Sequence, residues 1–412
     1  MIDTGQLVEG RAVDTSRFVT DVAIIGGCGR VGLPLGLAFA ARGLSVVLCD
    51  VNGVAVDLVN AGRMPFAEPG ADELLPSVLA SGALRATVDP SCVSESEHLV
   101  VVVGTPVDEH LSPDVTAVST ALERYAPFLR PGHFVALRST VYPGVTAMAE
   151  RLIAGLGLPD VDVAFCPERI AEGRALVELF ELPQIVGGRT PRAFARAATL
   201  FRSLTPQIVP LTPEEAELAK LFTNSWRYIK FAAANQFWMI ANDSGLDFER
   251  VRQAIRYDYP RAADLPGPGF AAGPCLFKDT MQLAAFNGNN FPLGHSAMLV
   301  NEGLPNYVVA RLEERFDLST MRVGILGMAF KGGSDDPRES LAYRLRKILL
   351  LKAAAVLCAD PFVDDQRLVP HERVLADAEL LVIAAPHEQY RDLPAATPVI
   401  DIWGLTGRGV LI

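Results

Sequence analysis

A glycine-rich segment near the start of the chain has the spacing of a dinucleotide-binding turn. Gly27, Gly29 and Gly32 follow an apolar run, Asp21–Ile25, and precede a helix-forming run. These glycines permit a tight turn, a close pyrophosphate and close packing of helix on strand. Asp50, 18 residues beyond Gly32 at the end of the next predicted strand, can accept hydrogen bonds from ribose hydroxyls. The pattern predicts a dinucleotide site that favours NAD over NADP, with a flavin or S-adenosylmethionine as open alternatives.

A cysteine in a loop rich in glycine and proline is the second candidate for chemistry. Cys275 follows Pro266–Gly269, and Lys278 and Asp279 come three and four residues after it. A nearby ammonium favours the thiolate, which is the nucleophilic form of cysteine. The segment predicts either covalent catalysis by Cys275 or a buried structural thiol. The six cysteines of the chain show no CxxC or zinc-ligand spacing, so no metal site is predicted.

Two further pairs of polar residues stand four positions apart in the sequence. Lys220 and Asn224 fall on a predicted helix, where this spacing brings both to one face. An ammonium beside a carboxamide can stabilise an oxyanion. Glu168 and Glu172 could activate water as a general base. For both pairs, the alternative is a charged surface exposed to solvent.

Strand and helix patterns alternate at both ends of the chain. In the first half, strands are predicted at 21–25, 44–48, 98–103, 134–138, 162–165 and 184–186, and a helix at 115–129. Near the end, strands are predicted at 321–326, 355–358, 380–384 and 398–402, and a helix that opens at Asp336-Pro-Arg-Glu339. Such alternation indicates parallel sheets covered by helices. The predicted fold is α/β, with two Rossmann-like doubly wound domains joined by a helical central domain.

The central region is predicted to contain one long helix. Thr212-Pro-Glu-Glu215 is a capping box with proline at the first helical position, and no breaker follows before Gly245. A helix of about 32 residues would be about 48 Å long, so we expect it to span domains or form a subunit interface. A second helix is predicted over 299–316. The predicted domains are an N-terminal extension over 1–20, an NAD-binding domain over 21–210, a central domain over 211–317 and a second nucleotide-binding domain over 318–412.

The composition narrows the class of protein. The chain has 412 residues, of which 50% are hydrophobic and 21% charged, so a disordered chain is excluded. No uncharged apolar run approaches the ~20 residues needed to cross a bilayer. A net charge of -11 argues against a nucleic-acid partner. Scattered cysteines and the lack of a secretory signal predict a cytoplasmic location.

Together, these motifs resemble the UDP-glucose/GDP-mannose dehydrogenase family, the nucleotide-sugar 6-dehydrogenases, over about residues 21–403. The resemblance also covers segments 60–69, 104–109, 139–144, 167–173, 327–331 and 336–340. It implies NAD-dependent, four-electron oxidation of a sugar C6 alcohol to a uronate, a precursor of polysaccharides, through a thioester on Cys275. It also implies a UDP-sugar substrate and a homodimer formed through the long helix.

The resemblance assigns residues to the site. The implied catalytic residues are Cys275 as nucleophile, Lys220 and Asn224 as oxyanion donors, Asp279 acting with Lys220 through a water, and Thr140, Glu168 and Glu172 around the hydrolytic water and nicotinamide. The implied cofactor-binding residues are Gly27, Gly29, Arg30, Val31, Gly32, Asp50, Thr105, Lys278 and Arg338, the last also supplying positive charge for pyrophosphate. The implied substrate-binding residues are Arg169, Lys220, Asn224, Arg261 (donated across the dimer), Phe270, Gly273, Phe330 and Lys331.

Two features depart from the common form of the family. Ala271 and Ala272 occupy places before the cysteine that are commonly glycine, which could narrow the sugar pocket. Pro167-Glu-Arg169 resembles the branch that acts on UDP-N-acetylhexosamines such as UDP-N-acetylmannosamine. An arginine here could hydrogen-bond an acetamido carbonyl, so we expect such a sugar, with UDP-glucose as the alternative.

Two other functions stay open from the sequence. A two-electron β-hydroxyacid dehydrogenase also joins a Rossmann domain to long helices and uses a lysine with an asparagine one turn later. It needs neither Cys275 nor a second nucleotide-type domain, and it yields one NADH per substrate instead of two. A non-catalytic nucleotide-binding regulator would not need the Cys, Lys, Asn and Asp set to be intact.

Overall fold

The computed structural model describes residues 18–105, 107–108, 114, 116–271, 273–393, 397–408, 410 and 412. Most of the predicted N-terminal extension, Glu109 and Ala272 lie outside these residues. The chain divides into two compact units, one ending at Leu221 and one beginning at Phe222. The domain boundaries inferred from the sequence stay a prediction. None of the described helices is long and apolar enough to cross a lipid bilayer.

The first unit contains, among its described residues, one sheet of eight strands. The strands are β1 (Thr20–Ile25), β2 (Val46–Cys49), β3 (Leu84–Thr87), β4 (Ser96–Val101), β5 (Phe134–Leu137), β6 (Asp162–Phe165), β7 (Gln184–Gly188) and β8 (Ile208–Leu211). The helices are α1 (Gly32–Ala41), α2 (Gly53–Asn60), α3 (Ala71–Ala80), α4 (Ala117–Tyr125), α5 (Val145–Gly155), α6 (Ala175–Glu181) and α7 (Pro191–Arg202).

The strand order of this sheet is β3-β2-β1-β4-β5-β6-β7-β8. The pairing is parallel except between β6 and β7. Val22 and Ile24 of β1 pack into one core cluster, whereas Ala23 and Ile25 pack into another, so both faces of the strand are buried. The order reverses beside β1, because β2 lies on one side of it and β4 on the other. Ligands of such sheets bind at the carboxyl ends of the strands at this point.

A long helix, α8 (Pro213–Asp243), contains the boundary between the two units. Its 31 residues confirm the predicted long helix. Thr212 and Glu215 form the predicted capping box: the Thr212 N–H donates to Glu215 Oε2 at 2.8 Å, and the Glu215 N–H donates to Thr212 Oγ1 at 3.3 Å. Gly245 follows the helix with a φ of +69°, as expected of a residue beyond a C-terminus.

The second unit contains, among the residues described, a four-stranded parallel sheet with the order β10-β9-β11-β12. The strands are β9 (Arg322–Leu326), β10 (Ala355–Ala359), β11 (Leu380–Ile383) and β12 (Val399–Ile400). The helices after α8 are α9 (Phe248–Arg256), α10 (Leu276–Phe286), α11 (Pro292–Arg315), α12 (Leu341–Leu349) and α13 (His371–Asp377). The mostly parallel first sheet, the parallel second sheet and the helical region between them in sequence confirm the predicted fold class.

The predicted start of the helix after β9, at Asp336, is wrong by about one turn. α12 begins at Leu341, with the Ser340 hydroxyl accepting a hydrogen bond from the Ala342 N–H. The Asp336 carboxylate instead binds the Arg338 guanidinium, and Glu339 has a φ of +54°, which is not helical. Residues 336–339 therefore form a turn before the helix.

Other element boundaries differ in ways that local patterns do not reveal. β3 and β8 were not predicted, and they are short edge strands; β8 contains Pro210, which an edge strand tolerates. α11 begins at Pro292 instead of at residue 299. The helix predicted over 115–129 is α4 followed by a short 3₁₀ turn, and Val115 lies outside the described residues.

Candidate active site

The glycine turn lies between β1 and α1 in the first unit. A Cβ on Gly32 would lie 2.4 Å from the Gly26 carbonyl oxygen, so this position needs glycine. A Cβ on Gly29 would approach no described atom more closely than 3.6 Å, so the space beside it is open to a ligand. Among the described residues no side chain caps α1 at Val31, so no cap covers the positive end of the helix dipole, where a phosphate can bind. The turn fits the pyrophosphate of a dinucleotide.

Asp50 follows β2 and faces this turn. The Cys28 N–H donates to Asp50 Oδ2 at 2.9 Å, and the Asn52 N–H donates to Oδ1 at 3.0 Å. Its half-buried carboxylate is therefore fixed at the edge of the sheet where ribose hydroxyls are bound in this fold. A 2′-phosphate would meet this negative charge, which agrees with the predicted preference for NAD.

The loop after β5, which carries Thr140, is held at both ends. The Thr105 hydroxyl donates to the Thr140 carbonyl oxygen at 2.6 Å. At the far end, Glu217 of α8 accepts hydrogen bonds from the N–H groups of Gly144 and Thr146 at 2.7 and 2.8 Å. Burial raises the pKa of Glu217 despite these bonds. Thr105 thus contacts the Thr140 loop, and Glu217 is a support that the sequence did not reveal.

Glu168 lies in a network of hydrogen bonds in the loop after β6. Both of its carboxylate oxygens already accept hydrogen bonds: Oε2 from Arg138 at 2.8 Å, and Oε1 from the N–H groups of Arg169 and Ile170 at 2.7 and 2.9 Å. Arg138 is only 2% exposed, so the ion pair is buried. These bonds hold the loop after β6, and the role of Glu168 as a general base stays a prediction.

Arg169 contacts the backbone of a neighbouring segment. Its guanidinium donates to the carbonyl oxygen of Pro183, and desolvation lowers the pKa of this half-buried side chain. This contact joins the loop after β6 to the segment before β7, and the role of Arg169 in binding a sugar acetamido group stays a prediction.

Glu172 and Arg30 meet in the first unit. Arg30 Nη1 lies 3.0 Å from Glu172 Oε1, and the Arg30 guanidinium stacks 5.0 Å from the centroid of the Phe66 ring. The buried Glu68 carboxylate accepts hydrogen bonds from the N–H groups of Gly173 and Ala175 at 2.9 and 2.8 Å. The segment around Glu68 thus supports the loop that carries Glu172, beside the dinucleotide turn.

Lys220 and Asn224 lie one turn apart on α8, so their side chains leave the helix on the same side. Their relative exposures are 8% and 4%. Because both side chains are buried, the alternative of a solvated surface is wrong. A lysine is seldom buried without a specific partner. The role of the pair as donors to a developing oxyanion stays a prediction.

Cys275 lies immediately before α10 in the second unit, and it is exposed. All six cysteines fall within the described residues, and the other five are buried. The dipole at the start of α10 stabilises negative charge on the sulfur. The alternative of a buried structural thiol does not apply to Cys275.

Asp279 connects the cysteine helix to α8. It is fully buried, and its Oδ2 accepts a hydrogen bond from Asn224 Nδ2 at 2.5 Å. Its Oδ1 lies 2.7 Å from Lys278 Nζ. Asn224 and Lys278 are thus partners of Asp279, and the predicted action of Asp279 with Lys220 through a water stays a prediction. Asp279 therefore orients the carboxamide of Asn224 and balances the charge of Lys278.

Four of the predicted substrate residues in the second unit lie in the loop before Cys275 or in the segment after β9. Gly273 lies against the Phe330 ring, since a Cβ on Gly273 would be 2.5 Å from it. Lys331 Nζ lies 5.7 Å from the centroid of the same ring. Phe270, at 2% exposure, packs in the core of this unit, and the neighbouring Ala271 is also buried. Gly273, Phe330 and Lys331 are thus neighbours, whereas Phe270 anchors the loop before Cys275 in the core of the unit.

Two predicted arginines are exposed. Arg338 forks onto Asp336, with Nη2 2.6 Å from Oδ2, so part of its charge is already balanced. Arg261 lies on a 3₁₀ turn, with its guanidinium 5.6 Å from the centroid of the Tyr259 ring. No group of three or more His, Cys, Asp or Glu within the described part of the chain is arranged to hold a metal ion.

Each of the two units contains a dinucleotide-type sheet with an aspartate after its second strand. Asp50 follows β2, and Asp360 follows β10 and accepts hydrogen bonds from the N–H groups of Met328 and Ala329 after β9. These features define a class of α/β oxidoreductases with a dinucleotide-binding unit, a long central helix and a second nucleotide-type unit.

Comparison with known proteins gives the family. The chain belongs to the UDP-glucose/GDP-mannose dehydrogenase family: its NAD binding domain model matches residues 20–205, its central domain model 214–303 and its UDP binding domain model 324–408. The chain is therefore an NAD-dependent oxidoreductase. The match over 324–408 favours a nucleotide-sugar dehydrogenase over a β-hydroxyacid dehydrogenase.

Similar proteins share this organisation. The chain is 31% identical to a UDP-N-acetyl-D-mannosamine dehydrogenase of Salmonella typhimurium over 407 residues, covering 91% of this chain and 95% of the relative. A UDP-D-ManNAc dehydrogenase structure from Pyrococcus horikoshii aligns with a TM-score of 0.85 and 30% identity, covering 90% of each chain. A UDP-glucose dehydrogenase structure from Pyrobaculum islandicum aligns with a TM-score of 0.87 and 30% identity, covering 94% of this chain and 95% of that one.

Proposed function

We propose that the protein oxidises the C6 alcohol of a UDP-N-acetylhexosamine to the carboxylate, with Cys275 as the covalent nucleophile. The observation that carries this proposal is the position of Cys275: an exposed thiol at a helix start, followed by the buried Lys278–Asp279–Asn224 contacts. NAD, when bound, supplies a hydride acceptor, and it is needed twice per sugar. The family match and the open glycine turn support the cofactor assignment.

The proposed reaction has four balanced steps. The alcohol loses a hydride and a proton to give the aldehyde. The Cys275 thiolate adds to the aldehyde carbon, and a proton completes the hemithioacetal. This species loses a second hydride and a proton to give a thioester. Water then cleaves the C–S bond, which releases the carboxylate, regenerates the thiolate and frees two protons. Covalent capture keeps the reactive aldehyde in the site between the two oxidations.

The side chains that carry the charge changes are on α8 and in the loops of the first unit. An amide nitrogen has two N–H donors, and Asn224 gives one to Asp279, so the other can face the sugar C6 oxygen. Lys220 would supply the positive charge for that oxygen. Thr140 and Glu172 are the proposed partners of the hydrolytic water, and Lys331 is the proposed partner of the UDP phosphates.

The names of the relatives support the proposed choice of sugar. The relative from Salmonella typhimurium and the structure from Pyrococcus horikoshii are both named for N-acetylmannosamine, whereas the structure from Pyrobaculum islandicum is named for glucose. We therefore propose a UDP-N-acetylhexosamine, with the mannosamine epimer favoured, and UDP-glucose as the competing substrate.

A substrate panel tests both the sugar and the stoichiometry. UDP-N-acetylmannosamine, UDP-N-acetylglucosamine, UDP-glucose and GDP-mannose would each be oxidised with NAD, with NADH followed by absorbance and the product identified by mass spectrometry. We expect two NADH per sugar, and kcat/KM for an N-acetylhexosamine at least about tenfold above UDP-glucose, because a site that binds the acetamido group loses that bond with glucose. A higher kcat/KM for UDP-glucose would contradict the sugar proposal, and one NADH per sugar would contradict the four-electron reaction.

We further propose that the protein is a homodimer formed through α8. Four large apolar side chains of this helix, Phe222, Trp226, Phe237 and Ile240, are each between 49% and 57% exposed. At 100° per residue they fall within about 60° of one another, and they extend over about 27 Å of the helix. An exposed apolar stripe of this kind is typical of a subunit interface.

Substitution of Trp226 tests the proposed interface. We expect the wild type to show about twice the 44.3 kDa chain mass in light scattering, and Trp226→Arg to show one chain mass, because a charge would be buried in the stripe. Leu351→Arg, at an 85% exposed position away from α8, is the matched control and should stay dimeric. A monomeric wild type, or a dimeric Trp226→Arg variant, would refute this interface.

A further inference from the structure

A buried polar pair in the second unit has no part in the proposed chemistry. His387 Nε2 lies 3.0 Å from Asp360 Oδ2, and the two side chains are 1% and 0% exposed. Buried polar groups are costly unless they are fully paired. Each side chain of the pair is therefore expected to have further hydrogen-bond partners.

The second ring nitrogen of His387 holds a loop. The Gly333 N–H donates to His387 Nδ1 at 3.1 Å. In this arrangement Nδ1 is the acceptor for Gly333, and Nε2 faces Asp360 as the donor. The imidazole is thus a bridge between the Asp360 carboxylate and the backbone of Gly333.

Asp360 is itself bonded to several parts of the unit. It accepts hydrogen bonds from the N–H groups of Met328 and Ala329 at 2.6 and 2.9 Å, and from those of Phe362 and Val363 at 2.8 and 3.0 Å. Burial alone would raise the pKa of Asp360, but the hydrogen bond from His387 and those from the backbone lower it to about 2. The carboxylate therefore stays ionised and can keep all these bonds near neutral pH.

The loop held by this pair carries Lys331. Asp360 fixes the N–H of Ala329, and His387 fixes the N–H of Gly333, so only three residues lie between the two anchor points. Gly332 also lies against Pro386, where a Cβ would be 2.2 Å from the Pro386 carbonyl oxygen. The backbone on both sides of Lys331 is thus restrained by buried hydrogen bonds and close packing.

We propose that His387 is a positioning residue for nucleotide-sugar binding: its bridge between Asp360 and Gly333 holds Lys331 where it meets the diphosphate. The inference rests on the proposed role of Lys331 in binding UDP. His387 is too buried to reach a ligand itself, so its effect passes through the loop. Ordering this loop before binding lowers the entropic cost of the complex.

Two amide variants separate the two bonds of His387. His387→Gln keeps a donor that can reach Asp360 and removes the acceptor for Gly333, whereas His387→Asn keeps an acceptor near Nδ1 and removes the donor. In titration calorimetry with UDP we expect His387→Gln to raise Kd about tenfold, the effect of one lost hydrogen bond, and His387→Asn to raise it less than about threefold. The Kd for NAD should stay unchanged in both variants.

A matched control and a double-mutant cycle identify the route of the effect. His371, which stacks on Tyr390 5.5 Å away, is a histidine of the same unit, and His371→Gln should leave the UDP Kd unchanged. Lys331→Met tests the proposed role of Lys331 separately: if it does not weaken UDP binding, the proposed function of that residue fails. In the Lys331→Met background, His387→Gln should change the Kd for UDP less than about twofold, because the contact between Lys331 and UDP is already lost.

Two results would overturn the positioning role. One is wild-type UDP affinity in a folded His387→Gln variant, and the other is an undiminished effect of His387→Gln when Lys331 is already methionine. If His387→Gln does not fold, Gly332→Ala displaces the loop from Pro386 and leaves the buried pair intact. It should raise the UDP Kd by a similar factor, and unchanged affinity in folded Gly332→Ala would equally refute the proposal.

Discussion

Cys275→Ser is expected to abolish uronate formation while leaving the fold intact. A serine hydroxyl is far less acidic than a thiol, and its adduct with the aldehyde cannot proceed to a thioester. We expect kcat for uronate to fall at least about a thousandfold, the scale seen when a covalent nucleophile is removed. The exposed position of Cys275 predicts little change in melting temperature.

The measurement counts both products of the reaction. Wild-type protein should release two NADH for each uronate found by mass spectrometry, whereas Cys275→Ser should release at most one NADH per sugar and no uronate. Cys275→Ala is the matched variant: it should behave like serine if the thiol itself is required. Uronate formation by either variant within tenfold of the wild type would refute covalent catalysis.

Asp279→Asn is expected to cause the second-largest loss, although the side chain keeps its size. The new amide cannot accept from Asn224 and balance the Lys278 ammonium at once, so the carboxamide of Asn224 loses its fixed orientation. Removal of one donor aimed at a developing oxyanion costs about a hundredfold to a thousandfold in kcat. We expect a loss in kcat of this size with KM for the UDP-sugar changed less than about threefold.

A surface ion pair of the same unit provides the control for this substitution. Glu313 lies 3.0 Å from Lys352, and both side chains are at least 40% exposed. Glu313→Gln should change neither kcat nor stability appreciably, since exposed pairs contribute about 0–1 kcal/mol. Steady-state kinetics and thermal unfolding would be measured for both variants. A folded Asp279→Asn protein with kcat within threefold of the wild type would show that Asp279 does not orient the site.

Local patterns predicted the parts of the site that depend on neighbours in sequence. The glycine turn, the capping box of α8 and Asp50 were predictable because their partners lie close by or at a fixed strand spacing. The ion pair of Glu168 with Arg138 was not predictable, because Arg138 lies 30 residues earlier and comes close only when β5 and β6 pair. Arg169 shows the same limit, since its partner is the backbone of Pro183.

The second unit adds a different lesson. Asp360 follows a strand as Asp50 does, so its position at the end of a strand was visible in the sequence. The second unit lacks the full glycine pattern, so the sequence did not indicate what Asp360 binds. His387 stands alone between two loops, and no spacing relates it to Gly333 or Asp360. Its partners are 54 and 27 residues away, so only the fold brings them together.

The burial of five cysteines and the exposure of the sixth make the protein selectively addressable by electrophiles. A small excess of a maleimide or an alkyl iodide would modify one thiol per chain, without any need to replace the others. The same selectivity exposes the proposed nucleophile to peroxide, which converts a thiolate stepwise to sulfenic and then sulfinic acid. Preparations kept without a reductant would therefore lose active sites one by one while every chain stayed folded.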